Sequence, residues 1–175
     1  KPKEGCIVKV KSVLTAADGR MTSFEPARTA AEQAEAVSAM APLLGQGFKT
    51  VLLAGVTGSG KTELLRAILR DLLAATSKPT LVCIDYKGGA GLDEFRTASK
   101  FFASDHDLNA TQTLIDWLES ELNRRELEAR TEPALVIAID ELGHLLGKLQ
   151  KGSAVLVAIA ARGRSAGMHL VMTNQ

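Results

Sequence analysis

The octapeptide at residues 55–62 constrains the fold of this chain more than any other segment. It reads Gly55, Val56, Thr57, Gly58, Ser59, Gly60, Lys61, Thr62, and it matches the phosphate-binding pattern G-x-x-x-x-G-K-[ST] at every fixed position. An apolar run at residues 50–54 precedes it, and leucines at helical spacing follow it over residues 61–75. The sequence therefore predicts a strand, a glycine-rich loop and a helix in that order, with the loop at the positive end of the helix dipole.

The residue types in the octapeptide suit the binding of a nucleotide. Its glycines allow successive backbone N–H groups to surround a polyphosphate. Lys61 is predicted to neutralise the terminal phosphates of ATP, and the hydroxyl of Thr62 is predicted to ligate Mg²⁺. The alternative is a glycine-rich turn that binds nothing, and it is disfavoured because the strand, the full pattern and the helix occur together.

Asp140 and Glu141 form an acidic pair directly after the apolar run at residues 134–139. A continuous apolar run is typical of a parallel strand covered on both faces, and ligands collect at the carboxyl ends of such strands. Asp140 is therefore predicted to face the Mg²⁺ ion, and Glu141 to polarise the water that attacks the γ-phosphate. The alternative is that Asp140 caps the next helix and Glu141 lies in its first turn.

The remaining segments alternate between strand and helix patterns, which predicts an α/β fold with a doubly wound, mostly parallel sheet and helices on both faces. The predicted elements are a β-hairpin at residues 6–14 and 21–24, helices at 29–44, 108–130 and 154–164, a short helix from 142, and strands at 80–85 and 168–173. Residues 1–47 are predicted to be a hairpin and helix that lead into a nucleotide-binding core at residues 48–175. We expect this core to continue past residue 175, because a domain rarely ends two residues after a strand.

Composition limits the function further. The net charge of +1 argues against a globally basic nucleic-acid binder, so any DNA contact would come from local loops. Cys6 and Cys83 lack metal-ligand spacing and are interpreted as small core residues. No apolar run approaches 18 residues, so we expect any membrane anchor to lie outside this sequence.

Four stretches together resemble the motor domain of the FtsK/SpoIIIE-type ATPases. They are LLAGVTGSGKTELLRAILRDLL at 52–73, DYKGG at 85–89, DEL at 140–142 and AARGRSAGMHLVMTNQ at 160–175. The resemblance implies a RecA-like ATPase that works as a ring, usually a hexamer, with ATP and Mg²⁺ at subunit interfaces. It implies that Gln175 is a polar sensor of the γ-phosphate, for which the alternative is a solvated chain end.

Ring ATPases commonly complete each site with an arginine from the neighbouring subunit, whose charge stabilises the transition state. Arg162 and Arg164 are the first candidates for this role, and Arg124 and Arg125 come behind them. The alternative for each is a solvated surface arginine.

The resemblance does not identify the polymer that is transported. Members of FtsK type translocate double-stranded DNA, which we take as the main expectation, whereas EccC-like relatives power type VII protein secretion and are the alternative. A third possibility, a regulatory module without turnover, is disfavoured because Lys61, Thr62, Asp140 and Glu141 are all present. The glycine-rich loop at 86–91 is interpreted either as a DNA phosphate contact or as a tight turn. We expect the protein at the cytoplasmic face of a bacterial cell, tethered to the membrane by regions outside this sequence.

Overall fold

The computed structural model describes residues 8–12, 22–23, 50–55, 60–88 and 90–174. Its elements are β1 (Val8–Ser12), β2 (Thr22–Ser23), β3 (Thr50–Gly55), α1 (Lys61–Ala74), β4 (Thr80–Asp85), β5 (Ser99–Ser104), α2 (Leu108–Leu127), β6 (Leu135–Asp140), α3 (Leu142–Lys148), α4 (Gln150–Arg162) and β7 (Met168–Asn174). Short 3₁₀ turns occupy Asp93–Phe95 and Gly163–Ala166. The predicted helix at residues 29–44 and Cys6 lie outside the described residues.

The described strands form one sheet in the order β2-β1-β3-β7-β6-β4-β5. The five strands from β3 to β5 in this order are parallel to their neighbours, and β1 is antiparallel to both β2 and β3. The predicted hairpin is confirmed by the pairing of β1 with β2, and it extends the sheet beyond β3. A mostly parallel, doubly wound sheet is therefore confirmed, while the domain boundary near residue 48 stays a prediction.

Two apolar layers cover the faces of this sheet. On one face, Leu64, Leu65 and Ile68 of α1 pack against alternate side chains of the central strands, such as Val136 and Val171. On the other face, α2, α3 and α4 pack against the intervening side chains, among them Ile137 and Leu170. Each fully buried aliphatic side chain contributes about 1.5–3 kcal/mol, so these layers fix the strand positions and with them the carboxyl edge of the sheet.

Two parts of the fold differ from the sequence prediction. Strand β5 was not predicted, because it is an edge strand on which Lys100 and Phe101 are exposed and the apolar pattern is weak. Helix α4 begins at Gln150 rather than near residue 154. The prediction placed the start after Gly152 because glycine often marks a connection, yet this glycine lies in the first turn of the helix.

Candidate nucleotide-binding site

The predicted phosphate loop joins the central strand β3 to helix α1. Gly55 is the last residue of β3, and Gly60 adopts a left-handed conformation with φ of 82° immediately before the helix. A residue with a Cβ adopts this conformation only at a cost, which explains the second fixed glycine of the pattern. Lys61 opens the helix and is 5% exposed. Residues 56–59 lie outside the described ranges.

Thr62 and Asp140 meet across the carboxyl edge of the sheet. The Thr62 hydroxyl donates to Asp140 at 3.1 Å from Oδ2 and 3.3 Å from Oδ1, although the two residues are 78 positions apart. Asp140 ends β6 and is 1% exposed. The structure therefore brings together the two residues that the sequence assigned to Mg²⁺.

Strand β7 supplies a residue that the sequence analysis missed. The Thr173 hydroxyl donates to Oδ1 of Asp140 and accepts the backbone N–H of Glu141 at 3.0 Å. Because β7 lies between β3 and β6, Thr173 reaches both members of the acidic pair. No local pattern marks this residue, since its role depends on strand order rather than on nearby sequence.

Glu141 has an unusual backbone conformation, with φ of 70° and ψ of 64°. A non-glycine residue in the left-handed region costs about 1–3 kcal/mol, and such strain persists only where the surroundings enforce it. Here the Glu141 N–H is held by Thr173, and the residue is 5% exposed. The alternative, in which Asp140 caps the helix and Glu141 lies in its first turn, is wrong in its details. Asp140 belongs to β6, and Glu141 is the residue before α3. The side chain of Asn174 instead accepts from the N–H of Gly143 in the first turn of α3.

Asp85 is a further carboxylate at this edge to which the sequence analysis gave no role. It ends β4, is fully buried and stands in register with Asp140 on the neighbouring strand. Its Oδ1 accepts the N–H of Lys87 at 3.0 Å, and its Oδ2 accepts the N–H of Leu92 at 2.8 Å. We call Asp85, Asp140 and Glu141 the acidic edge. Its position could have been anticipated, because Asp85 also follows an apolar run.

The loop after β4 approaches the acidic edge closely at Gly91. A Cβ at this position would clash with Oδ2 of Asp140 and would lie 3.2 and 3.3 Å from the carboxylate oxygens of Asp85. Arg66 of α1 holds the same loop by donating to the carbonyls of Gly91 at 2.7 Å and Ala90 at 3.0 Å. The loop is thus attached to both the acidic edge and the helix that follows the phosphate loop.

The oxygen atoms at this edge fit Mg²⁺. Hydroxyl and carboxylate oxygens are the ligands that Mg²⁺ prefers, and it usually binds one or two protein groups together with phosphate oxygens and water. Among the described residues, no cluster of three or more His, Cys, Asp or Glu side chains could form an all-protein metal cage. Thr62 and Asp140 are therefore suited to a metal that arrives with a nucleotide.

The arginine candidates lie away from the acidic edge. Arg162 ends α4 and Arg164 is in the following 3₁₀ turn, so both precede β7, whereas Thr173 is near its far end. A seven-residue strand spans about 20 Å, which places the backbone of both arginines at the opposite edge of the sheet. Arg162 pairs with Glu126 at 2.8 Å, and Arg164 is exposed. Gln175 lies outside the described residues.

Arg124 and Arg125 serve the structure of helix α2. Arg125 is 3% exposed, and it donates to Glu121 at 2.7 Å and to the carbonyls of Ala166 at 3.0 Å and Pro133 at 2.8 Å. Arg124 pairs with the same Glu121 at 2.8 Å, and hydrogen bonds from both arginines lower the pKa of Glu121 to about 2. The expectation that Arg125 could reach a neighbouring subunit is wrong, because its guanidinium is buried and occupied. We call Glu121, Arg124 and Arg125 the arginine cluster.

The fold and the site define a class of protein. One strand, β7, separates the phosphate-loop strand β3 from β6, which carries the buried aspartate, and a glutamate follows that aspartate directly. With the carboxyl ends of these parallel strands at one edge, this is a RecA-like P-loop nucleotide-binding domain.

Comparison with known proteins identifies the family. The model of the FtsK/SpoIIIE family matches residues 37–132, and the chain belongs to this family. It is 32% identical to the ESX secretion system protein EccC of Thermomonospora curvata and 32% identical to the ESX-4 secretion system protein EccC4 of Mycobacterium tuberculosis. Each of these matches covers 71% of this chain and 12% of the relative, so the chain spans about an eighth of their length.

Solved structures agree with the sequence relatives. The cytoplasmic domain of the type VII secretion ATPase EccC of T. curvata has a TM-score of 0.64 and 25% identity, over 95% of this chain and 21% of that one. T. curvata EccC ATPases 2 and 3, in complex with a signal sequence peptide, give a TM-score of 0.65 over 97% of this chain and 32% of that one. At 18% identity the second match supports the fold alone. The relatives are thus secretion ATPases, and the predicted DNA partner finds no support among them.

None of the helices in the described part of the chain has the length and apolar composition needed to cross a lipid bilayer.

Proposed function

We propose that this chain is an ATP-hydrolysing domain of a type VII secretion ATPase, and that it works within a longer protein. The observation that carries the proposal is the contact of 3.1 Å between the Thr62 hydroxyl and the Asp140 carboxylate, beside the buried Glu141. Phosphoryl transfer needs a phosphate cradle, a metal site and a residue that orients water. The match to EccC proteins supports the secretion assignment over the DNA translocase that we expected first.

The assignment of roles follows the chemistry of each side chain. Lys61 neutralises the phosphates of ATP, and Thr62 with Asp140 holds Mg²⁺, which when bound offsets the charge on the β- and γ-phosphates. Glu141 accepts a hydrogen bond from the attacking water and takes its proton. Gln175, two residues after Thr173, hydrogen-bonds the γ-phosphate or this water and so responds to the loss of phosphate.

The first experiment tests whether the phosphate loop binds ATP. In the full-length protein, Lys61→Ala should weaken ATP binding measured by calorimetry, because phosphate charge would then be desolvated without its partner. Lys78→Ala is the matched control, since Lys78 is exposed in the turn before β4, at the opposite edge of the sheet. Equal ATP affinity for Lys61→Ala and the control would remove Lys61 from its proposed role.

The proposed polymer is a secreted protein, recognised through its signal peptide. The support is the complex of T. curvata EccC ATPases 2 and 3 with a signal sequence peptide, together with the net charge of only +1 on this chain. By similarity with the cytoplasmic EccC domain, the domain acts at the cytoplasmic face of the membrane. Stimulation of ATP turnover by a signal-sequence peptide, and not by double-stranded DNA, is the expected result. Stimulation by double-stranded DNA, and not by the peptide, would instead support a DNA translocase.

We further propose that the domain assembles with copies of itself or with similar domains, so that Arg162 or Arg164 completes a neighbouring site. Their position at the edge opposite Asp140 supports a contribution in trans, because neither can approach the nucleotide of its own domain. Arg164→Ala should lower turnover with little loss of ATP binding. Mixing it with Glu141→Gln protein should restore part of the activity, since some interfaces then have one intact half from each variant. No recovery on mixing, despite assembly, would contradict the shared site.

A further inference from the structure

Lys87, in the loop after β4, contacts the residue that is proposed to ligate the metal. Its Nζ lies 3.1 Å from the Thr62 hydroxyl oxygen, which in turn donates to Asp140. The sequence analysis considered this loop as a contact for DNA or as a simple turn. In the structure the lysine instead extends a hydrogen-bond chain that runs from Lys87 through Thr62 and Asp140 to Thr173.

The loop that carries Lys87 is fastened at both ends. The N–H of Lys87 donates to Asp85, and the N–H of Leu92 donates to the other oxygen of the same carboxylate. Arg66 holds the carbonyls of residues 90 and 91. The loop backbone is therefore anchored at Lys87 and Leu92 by the buried Asp85 and at residues 90 and 91 by Arg66, whereas the Lys87 side chain is exposed.

The hydroxyl of Thr62 has a limited capacity for partners. It carries one hydrogen and two lone pairs, and the hydrogen is already donated to Asp140. Lys87 occupies a lone pair, which is the part of the hydroxyl that a metal ligand must offer. A divalent cation at the same oxygen would stand a few ångströms from the ammonium, where two positive charges repel each other. One lone pair of the hydroxyl stays open, so the ammonium of Lys87 opposes a metal at this oxygen mainly through charge repulsion.

We infer that Lys87 is a built-in cation that occupies the Thr62 hydroxyl while the site is without nucleotide and keeps free divalent metal from binding there. This inference rests on the proposed metal site at Thr62 and Asp140. The triphosphate of ATP offers the ammonium an alternative anionic partner, so metal and nucleotide enter together. The acidic edge therefore does not take up free Mg²⁺ on its own.

The test measures metal binding without nucleotide. Mn²⁺ is titrated into the full-length protein and free Mn²⁺ is followed by electron paramagnetic resonance. Lys87→Met should bind Mn²⁺ about tenfold more tightly than wild type, which corresponds to about 1.4 kcal/mol of removed repulsion. Lys87→Arg should keep weak binding because it retains the charge, and Lys78→Met is the control for loss of a lysine elsewhere.

A second comparison assigns the effect to the shared oxygen. In a Thr62→Val background, Lys87→Met should change Mn²⁺ binding much less, because the hydroxyl that holds the ammonium beside the metal site is absent. Unchanged or weaker Mn²⁺ binding by Lys87→Met would overturn the inference, and Lys87→Gln serves in its place if the Met variant does not fold. The proposed function is tested separately by Mn²⁺ binding to wild type in the presence of ATP. If that binding is absent, the proposed function fails, whatever the Lys87 variants do without nucleotide.

Discussion

The acidic edge and the arginine cluster both contain buried charged groups, but their charges are compensated differently. Asp85 and Asp140 accept hydrogen bonds from backbone N–H groups and hydroxyls, which are neutral donors. In the arginine cluster, Glu121 receives two guanidinium groups, and its pKa falls to about 2. Neutral donors hold a carboxylate in place without cancelling its charge, so these hydrogen bonds leave Asp85 and Asp140 able to attract a cation. In the arginine cluster the charge of the Glu121 carboxylate is already compensated, so this cluster stabilises the fold.

The largest effect that this comparison predicts is on stability. Arg125→Met removes a buried cation that holds Glu121 and two carbonyls, and we expect the free energy of unfolding to fall by about 3–5 kcal/mol. Arg124→Met removes a more exposed partner of the same glutamate and should cost only about 0–1 kcal/mol. Urea denaturation measures both variants. Equal losses would show that burial does not distinguish the two arginines.

At the acidic edge the largest expected effect is on turnover. Glu141→Gln keeps the size of the side chain and loses the carboxylate that accepts a proton, so hydrolysis should fall about 10²-fold or more while ATP still binds. Single-turnover hydrolysis and ATP calorimetry on the same preparation separate the two steps. Turnover near the wild-type rate would mean that Glu141 serves only as the residue that precedes helix α3, and that its carboxylate takes no part in hydrolysis.

A smaller effect should follow from changing the residue that joins the acidic pair. Thr173→Val leaves the buried Glu141 N–H without its acceptor and removes one donor to Asp140, which costs about 1–3 kcal/mol and should lower kcat about tenfold. Thr173→Ser retains the hydroxyl and should restore most of the rate. Because Thr173 positions other residues, KM for ATP should change little. A large rise in KM with unchanged kcat would place Thr173 in nucleotide binding instead.

Much of this architecture was predictable because its signals are local. The phosphate pattern at residues 55–62 and the apolar run before Asp140 each specify an element and its function within a few residues. The contact between Thr62 and Asp140 then follows from general rules about parallel sheets. The edge strand β5 escaped prediction because one of its sides is solvated, so its sequence lacks a clear apolar period.

The roles of Thr173, Lys87 and Arg125 could not be predicted from the sequence, because they depend on the tertiary arrangement. Thr173 contacts Asp140 only because β7 lies between β3 and β6 in the sheet. The hydrophobic periodicity of a local segment does not determine strand order. In the sequence, Lys87 fits a DNA contact and a tight turn equally well, and only the tertiary structure places its loop on the Asp85 carboxylate. Arg125 looks like any helical arginine in sequence, and only the packing of α2 beside the turn at Ala166 buries it.

The close approach at Gly91 has a consequence for comparing related sequences. The atoms nearest to a side chain at this position would be carboxylate oxygens of Asp85 and Asp140. A glycine here is therefore a sign that the loop lies against two acids on different strands. A relative with glycine at the corresponding position can keep its loop against both aspartates as this chain does. A relative with alanine or a larger residue must either move that loop outward or replace one of the acids. Where the loop keeps its place, loss of this glycine should therefore coincide with a change at one of the two acids.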